Sequence, residues 1–297
     1  MKRIYLCIIL KMSTNTPQDM PDFGIFYSTN YLKFVEETQG VDVSLFTVKK
    51  NGALAFLPYY VQDDTLFSLR YGGMISNSKS KKFARFVSDR FLDHCRARKI
   101  RDIRIRNNPY INTIRVGEVI KKEPLVFIDL NRTGKDLYAQ ISEEHKRGLI
   151  KANGEHLVVG ESKELKYLLL FYRFYGKLLS RKGKKPQGYV FFGKLYNHLK
   201  ENINLVYVSY NDRVAAVSII LGSKPNVFML YGAMSGDGYR KCAKHLMIYE
   251  LMLRYKRRGY SRLVLGTGVD GEEDSIYRFK RGFGGQESYI YTYGTKL

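Results

Sequence analysis

The sequence contains no tryptophan, few cysteines and few histidines, and these shortages exclude several classes of protein. Its three cysteines, Cys7, Cys95 and Cys242, are too few for a disulfide framework and have no metal-like spacing, so they indicate free thiols in a reducing compartment. The five histidines form no HExxH or Cys/His cluster, so we expect no structural or catalytic metal. Since no apolar run approaches the ~20 residues of a membrane span, we expect no transmembrane segment.

The amino terminus also lacks the features of an export signal. Lys2 and Arg3 precede a short apolar run from Ile4 to Leu10, which ends at Lys11 without a small-residue cleavage site. We therefore expect a cytoplasmic protein. Composition does not decide whether translation starts at Met1 or at Met12.

Acidic residues are scarce relative to basic ones. The chain has 297 residues, a length typical of about two domains, and 50 Lys and Arg against 28 Asp and Glu give a net charge of +22. Such a surplus attracts polyanions: RNA, nucleotide diphosphates or an anionic membrane face. The alternative is that the charge serves only general solubility, because it is spread along the chain.

Two segments of the chain, residues 42–106 and 202–266, read as the same structural unit at an offset of 160 without gaps. Each has a hairpin, a third strand, a helix and a closing strand, and the turns Asn51-Gly52 and Asn211-Asp212 tolerate the positive φ that tight hairpins require. A Tyr-Gly-small-Met tetrad follows the third strand in both copies, at Tyr71 and Tyr231. Two tandem domains are predicted, against the alternative of a chance resemblance.

The sequence between and after these copies places the domain boundary. Residues 124–130 are predicted as a strand and residues 131–151 as one helix that ends at Asn153-Gly154. We therefore expect an N-terminal domain over 13–152 and a C-terminal domain over 153–297. A basic loop, Arg181 to Pro186, precedes a predicted helix from Val190, and it is either a solvated loop or a phosphate contact at the amino end of that helix.

A glycine-rich acidic loop after the last repeat strand carries the clearest chemical motif. The strand ends at Leu265-Gly266, and the loop leads into a helical turn that contains Phe279-Lys280, the Phe-Lys motif. A lysine beside an aromatic wall can present its ammonium to a developing oxyanion. The alternative is that Lys280 only forms a salt bridge with Asp274 or Glu273 and holds the loop.

The run from Gly268 to Gly285, supported by Leu230 to Met234 and by Tyr239-Arg240-Lys241, resembles the FemABX family of peptidyl or aminoacyl transferases and neighbouring acyltransferases. The resemblance covers nearly all of the chain from about Phe23. It implies an α/β (α+β) fold of two tandem GNAT-like domains, the fold of acyl-CoA N-acyltransferases, with a cleft between them.

The resemblance also implies roles for particular residues. Lys280 corresponds to the oxyanion stabiliser, Phe279 to its wall, and Tyr231 to a tyrosine that faces the same channel. Lys33, in Tyr31-Leu32-Lys33, corresponds to a lysine that contacts a nucleotide diphosphate. The further candidates for substrate binding are Lys184, Lys185, Arg240, Tyr277 and Arg278.

Two departures from the family pattern affect the substrates. Where related enzymes have an arginine for the diphosphate, this chain has Pro186-Gln187-Gly188, and a neighbouring lysine is a point charge rather than a bidentate fork. The coenzyme A loop of acetylating enzymes corresponds to Arg240 to His245, where Ala243 and His245 are expected to obstruct a pyrophosphate. Coenzyme A is therefore less expected than aminoacyl-tRNA as a co-substrate, and we expect no cofactor.

These observations lead to three hypotheses. The first is an aminoacyltransferase that moves an aminoacyl group from tRNA to an amino group of a nucleotide- or lipid-linked, peptidoglycan-type envelope precursor, with peripheral contact at the inner face of an anionic membrane as an option. The second is an N-acyltransferase that uses acyl-CoA or a carrier and acts on an amino sugar of a surface polysaccharide. The third is a non-catalytic RNA- or membrane-surface-binding protein. Asp270, Glu273 and Asp274 are candidates for the general base by proximity alone.

Overall fold

A computed structural model describes residues 7–11 and 24–297. The expectations about Lys2, Arg3 and a start at Met12 lie outside the described residues. The strands up to residue 129 are β1 Cys7–Lys11, β2 Ser44–Lys50, β3 Ala53–Gln62, β4 Thr65–Ser68, β5 Ile75–Ser76, β6 Asp102–Arg106 and β7 Glu118–Asp129. The later strands are β8 Val158–Ser162, β9 Ile203–Tyr210, β10 Arg213–Ser223, β11 Asn226–Met234, β12 Arg262–Gly266 and β13 Gln286–Lys296.

Helices lie between these strands in both halves of the chain. The helices are α1 Thr29–Gln39, α2 Lys81–Ala97, α3 Gly134–Ala139, α4 Glu143–Gly154, α5 Leu165–Arg181, α6 Tyr189–His198, α7 Gly236–Arg240, α8 Ala243–Arg257 and α9 Ser275–Arg281. In the described part of the chain, no helix is long and apolar enough to cross a lipid bilayer.

The chain forms two compact units. The first consists of the described residues up to Glu123 together with Tyr289–Leu297, and the second is Pro124–Ser288. These units differ from the domains expected from sequence, 13–152 and 153–297. The reason is pairing: the apolar end of β7 pairs with β12 in the second unit, and the carboxyl end of β13 pairs with β6 in the first unit.

The first unit is a mixed sheet with strand order β1-β2-β3-β4-β6-β13. The short strand β5 pairs with Ala55 and Phe56, in the amino-terminal half of β3. The pairs are antiparallel except for β4 and β6, which run parallel. The buried side chains of α2, among them Phe83, Val87 and Phe91, pack with apolar residues of the sheet and form one core.

The second unit has strand order β7-β12-β11-β10-β9-β8. Its pairs are antiparallel except for β11 and β12. Helix α5 packs on β10 and β11, while α8 packs on β9 to β12 and on α4. The core of this unit joins β7, the sheet, α4, α8 and Phe283 beyond α9.

The predicted repeat is confirmed by the strand order. In the first copy β2, β3, β4 and β6 are neighbours in that order, and in the second copy β9, β10, β11 and β12 repeat both the order and the directions. The tetrads differ, however. Tyr231 continues strand β11, whereas Tyr71 has a φ of 52° and lies in a turn bridged by Leu69 and Gly72.

The helix predicted over 131–151 is two helices, α3 and α4, with a break at residues 140–142. Two capping signals explain the break. Thr133 and Asp136 form a capping box at the start of α3, and the Ser142 side chain accepts the backbone N–H of His145 at the start of α4. Each short helix therefore begins at its own cap.

Candidate functional site

A gap between two parallel strands forms the candidate site in the second unit. Within the described residues, the ladder between β11 and β12 covers three positions, Asn226–Phe228 against Arg262–Val264, although both strands continue beyond it. Gly232 of β11 and Gly266 of β12 lie past the end of this ladder. Because neither residue has a side chain, other groups can approach the strand backbone closely at this point.

Lys280 reaches the end of β12 from helix α9. Its Nζ donates to the Thr267 carbonyl oxygen at 2.6 Å, and it lies 3.7 Å from the position that a Cβ on Gly266 would occupy. Gly266 has a φ of 84°, a conformation that favours glycine and turns the chain out of the strand. The half-buried ammonium is thus held at the end of strand β12.

Asp274, a sequence candidate for the general base, is the N-cap of α9. Its side chain accepts the backbone N–H of Tyr277 at 2.9 Å and that of Val269 at 3.3 Å, and Lys182 lies 3.6 Å away. Partial burial favours a higher pKa for Asp274, but these N–H groups and the Lys182 ammonium outweigh it and hold the pKa below its usual value. Asp274 therefore caps α9, and its lowered pKa makes it a weaker proton acceptor than an ordinary aspartate.

The basic loop meets the acidic loop of the motif. Lys182 faces Asp274, and Lys184 forms an ion pair with the exposed carboxylate of Asp270. Two of the loop's charges are therefore engaged within the protein, whereas Lys185 is exposed. Exposed pairs of this kind contribute little stability, so a phosphate can compete for Lys184.

Phe279 packs in a cluster of rings behind the lysine. Its ring centroid is 4.9 Å from those of His145 and His245 and 5.4 Å from that of Phe283. The His145 Nε2–H donates to the Phe279 carbonyl at 2.8 Å. Burial, together with the neighbouring His145, lowers the pKa of His245 to about 4, so this imidazole is neutral at physiological pH. The His245 ring therefore packs within this cluster of rings.

Sequence analysis missed Lys244, which the structure brings to the same gap. Lys244 lies in the first turn of α8, is 8% exposed and donates from Nζ to Ser218 Oγ. A Cβ on Gly232 would lie 2.1 Å from this Nζ, so the amine occupies the space beside the glycine. In the sequence Lys244 is only a single lysine on the apolar face of a predicted helix. Nothing in the sequence indicates that Ser218 and Gly232 lie beside it.

Tyr231 faces the side of the sheet opposite to Gly232, because successive residues of a strand alternate. Its ring lies 5.1 Å from that of Phe192 and 6.0 Å from that of Tyr175, within an aromatic cluster on α5 and α6. Lys244 approaches Gly232 from the α8 side. The structure therefore groups Lys280 with Lys244, while Tyr231 lines the aromatic side of the same strand.

The other sequence candidates fall into a buried group and an exposed group. Tyr277 is buried and its hydroxyl donates to Glu287; burial and this carboxylate raise its pKa. Arg240 pairs with Asp237, and Arg278 donates to the Glu273 carbonyl at 3.3 Å. Lys33 is exposed on α1, in the first unit. Among the described residues, no group of three or more His, Cys, Asp or Glu side chains is placed to hold a metal ion.

Comparisons with known proteins show a GNAT-type domain and several similar folds. Residues 144–281 match the family model of an acetyltransferase (GNAT) domain. No curated protein matches the chain. Among solved structures, FemX is similar with a TM-score of 0.70, 13% identity and 92% of each chain covered.

Two further structures share the fold. The C-terminal domain of a putative lysylphosphatidylglycerol synthetase from Agrobacterium fabrum has a TM-score of 0.54, 11% identity and 80% coverage of each chain. A tandem GNAT protein from the clavulanic acid biosynthesis pathway has a TM-score of 0.50 and 8% identity, covering 86% of this chain and 83% of the other. Residues 144–281, which include both lysines, therefore match a GNAT acetyltransferase domain, and the chain shares the fold of FemX.

Proposed function

We propose that this protein transfers an aminoacyl group from aminoacyl-tRNA to an amino group of a cell-envelope precursor of the peptidoglycan type. The observation that carries the proposal is the Lys280 ammonium, which is held against the Thr267 carbonyl where the β11–β12 ladder has ended. A substrate carbonyl in this gap would meet the ammonium as its oxygen becomes negative.

An aminoacyl ester suits such a site because it is already activated. The acceptor amine attacks the ester carbonyl, the C–N bond forms, and the tetrahedral oxyanion faces Lys280. The C–O bond to the ribose then breaks and the ribose oxygen leaves with a proton. Catalysis consists mainly of positioning and charge stabilisation, and no enzyme nucleophile is required.

The charge of the chain supports a polyanionic donor or acceptor. A net charge of +22 produces an attractive field for tRNA and for diphosphates. We assign phosphate contacts to the basic side chains at the surface: Lys33, Lys184, Lys185, Arg240 and Arg278. A reaction that uses tRNA belongs to the cytoplasm, and a lipid-linked acceptor would bring the protein to the inner membrane face.

The names of similar structures also favour aminoacyl transfer. The lysylphosphatidylglycerol synthetase is named for a lysyl group carried by a membrane lipid, and its C-terminal domain shares this fold. At 11% identity this likeness shows the fold alone, so the donor and the acceptor remain part of our proposal.

A second candidate is an acyl-CoA-dependent N-acyltransferase that acts on an amino sugar. It is favoured by the match to an acetyltransferase family. The His245 ring packs against His145 and Phe279, and whether it obstructs a pyrophosphate at the amino end of α8 is tested by the acetyl-CoA arm of the experiment below.

The decisive experiment offers both donors to the purified protein. A pool of charged tRNAs and, separately, acetyl-CoA are incubated with and without nucleotide- and lipid-linked envelope precursors, and acyl transfer to the precursor is followed by mass spectrometry. We expect precursor-dependent deacylation of tRNA. If acyl transfer occurs only from acetyl-CoA, the donor is acyl-CoA and not aminoacyl-tRNA. If neither donor supports transfer, a non-catalytic binding protein is favoured.

A further inference from the structure

An uncompensated buried amine lies beside the oxyanion lysine. In the described part of the chain, Lys244 Nζ has Ser218 Oγ and, at 3.6 Å, Met247 Sδ as its polar neighbours, and no carboxylate. Ser218 is fully buried and its hydroxyl lies 3.1 Å from Met247 Sδ. A buried ammonium with such partners is costly, and this cost requires an explanation.

Three influences favour the uncharged form of this amine. Burial is the largest and the nearby Lys280 ammonium is the second, and together they lower the pKa of Lys244 to about 7. The third is its place in the first turn of the fifteen-residue helix α8, where the positive end of the helix dipole disfavours a cation. At neutral pH a substantial fraction of Lys244 is therefore a free amine with a lone pair.

The hydrogen bonds leave that lone pair available. The Ser218 hydroxyl can direct its proton to Met247 Sδ, and its oxygen then accepts an N–H from Lys244. Lys244 uses a hydrogen and not its lone pair in this contact. The amine lies in the space beside Gly232, which is partly exposed, so the lone pair is adjacent to the gap.

The repeat shows that the fold does not require this pair of residues. Lys244 corresponds to Ala84 at the offset of 160, and Ser218, which pairs with Val206 as Leu57 pairs with Phe46, corresponds to Leu57 in the first copy, although the strand order of the two copies is the same. The first copy forms its core without a buried amine. Lys244 and Ser218 therefore belong to the chemistry of the second unit.

We propose that Lys244 is the proton acceptor for the attacking amine, an inference that rests on the proposed function. As the nitrogen of the acceptor bonds to the ester carbon, Lys244 Nζ takes a proton from that nitrogen while the oxyanion faces Lys280. When the C–O bond breaks, the Lys244 ammonium returns this proton to the departing ribose oxygen. The amine is then free for the next cycle, and no other reactant is needed.

The test uses Lys244→Met, which removes the lone pair and retains most of the volume, and Lys244→Gln, which also keeps a donor for Ser218 in case methionine does not fold. We expect kcat to fall by about 10²- to 10³-fold, with KM for both substrates nearly unchanged, as for the loss of a general base. Lys256→Met is the matched control: it lies on the same helix, donates to the Leu130 carbonyl at 3.1 Å, and should retain wild-type rates.

The pH profile separates a proton acceptor from a structural residue. The wild-type kcat should rise with pH through about 7, where Lys244 loses its proton, and this limb should vanish in Lys244→Met. The charged group that faces Lys244 is Lys280 from α9, while Ser218, Met247 and Gly232 are uncharged.

Both donors are used, so that the two proposals can fail separately. If the wild type uses acetyl-CoA and not aminoacyl-tRNA, the proposed tRNA donor is refuted. If Lys244→Met then loses this acetyl-CoA activity, the role of Lys244 as proton acceptor still holds. Folded Met and Gln variants that transfer within threefold of the wild type, or that keep the limb near pH 7, would overturn that role for either donor. A wild-type protein inactive with both donors would overturn both proposals.

Discussion

Replacing Lys244 by methionine should stabilise the protein, and by an amount that depends on pH. In the folded state the pKa of Lys244 is about 7 instead of 10.5. At roughly 1.4 kcal/mol per pH unit, this difference corresponds to a penalty of about 5 kcal/mol when the folded state must carry the charge. The hydrogen bond to Ser218 that the variant loses is worth about 1 kcal/mol. The free energy of unfolding of Lys244→Met should therefore exceed that of the wild type by about 4 kcal/mol at pH 6.

The sign follows from proton binding. Between pH 7 and 10.5 the unfolded chain holds a proton on Lys244 that the folded chain does not, so the stability of the wild type rises with pH across this window. Below pH 7 both states are protonated and the penalty is complete. The advantage of the variant should therefore be largest at pH 6 and should shrink as the pH approaches 10.

Urea unfolding at pH 6 and pH 9, followed by circular dichroism, measures this difference for the wild type, Lys244→Met and the control Lys256→Met. The control should show no comparable pH dependence. If Lys244→Met is less stable than the wild type at pH 6, or if its advantage is equal at both pH values, Lys244 is a satisfied ammonium and our reasoning is wrong.

Four other predictions concern the site and its charge. Lys280→Met should lower kcat by about 10²- to 10³-fold with little change in KM, and Lys280→Arg should recover only part of it; a folded variant with wild-type rates would exclude the oxyanion role. Asp274→Asn keeps a capping oxygen for α9 and should change kcat by less than about threefold, since asparagine caps as well as aspartate; equal losses in Asp274→Asn and Lys280→Met would instead indicate a structural pair. Gly232→Ala would place a methyl 2.1 Å from Lys244 Nζ and 2.7 Å from Ser218 Oγ, so it should displace the amine and reduce kcat while the melting temperature changes little; an unchanged pH profile would show that the amine is not used. Binding of tRNA should weaken about tenfold or more between 50 and 200 mM salt if several phosphates are contacted, and salt-insensitive binding would contradict this.

The repeat and the Phe-Lys motif could be predicted from sequence because both are local patterns. Hairpin turns such as Asn211-Asp212, alternating strands and an amphipathic helix specify a unit from neighbouring residues alone. The assignment of β7 and β13 to units could not be predicted, because a strand's partner depends on edges formed by distant segments. Val126 pairs with Gly266, 140 positions further along the chain.

The candidate site was predicted only in part. Lys280 could be identified from its motif, but Lys244 lies on a helix where one lysine among apolar residues has no recognisable pattern. Its burial depends on Ser218 and Gly232, which reach it only through the packing of β10 and β11 against α8. Proximity in sequence made Asp274 a candidate base, whereas the structure shows that its side chain caps α9.

The position of Lys280 is fixed from both ends of its helix, and this bears directly on catalysis. At the start of α9 the Asp274 side chain caps the backbone, and beyond Lys280 the amino end of α4 binds two carbonyls. The Ser142 N–H donates to the Gly282 carbonyl at 2.8 Å, and the His145 Nε2–H donates to the Phe279 carbonyl at 2.8 Å. Because these bonds form in the folded protein before any substrate is present, the ammonium need not be ordered during the reaction. A charge that is placed in advance stabilises a transition state more effectively than one that must reorganise, so in the proposed mechanism the Ser142 N–H and the His145 imidazole would support the rate by holding Lys280 in place.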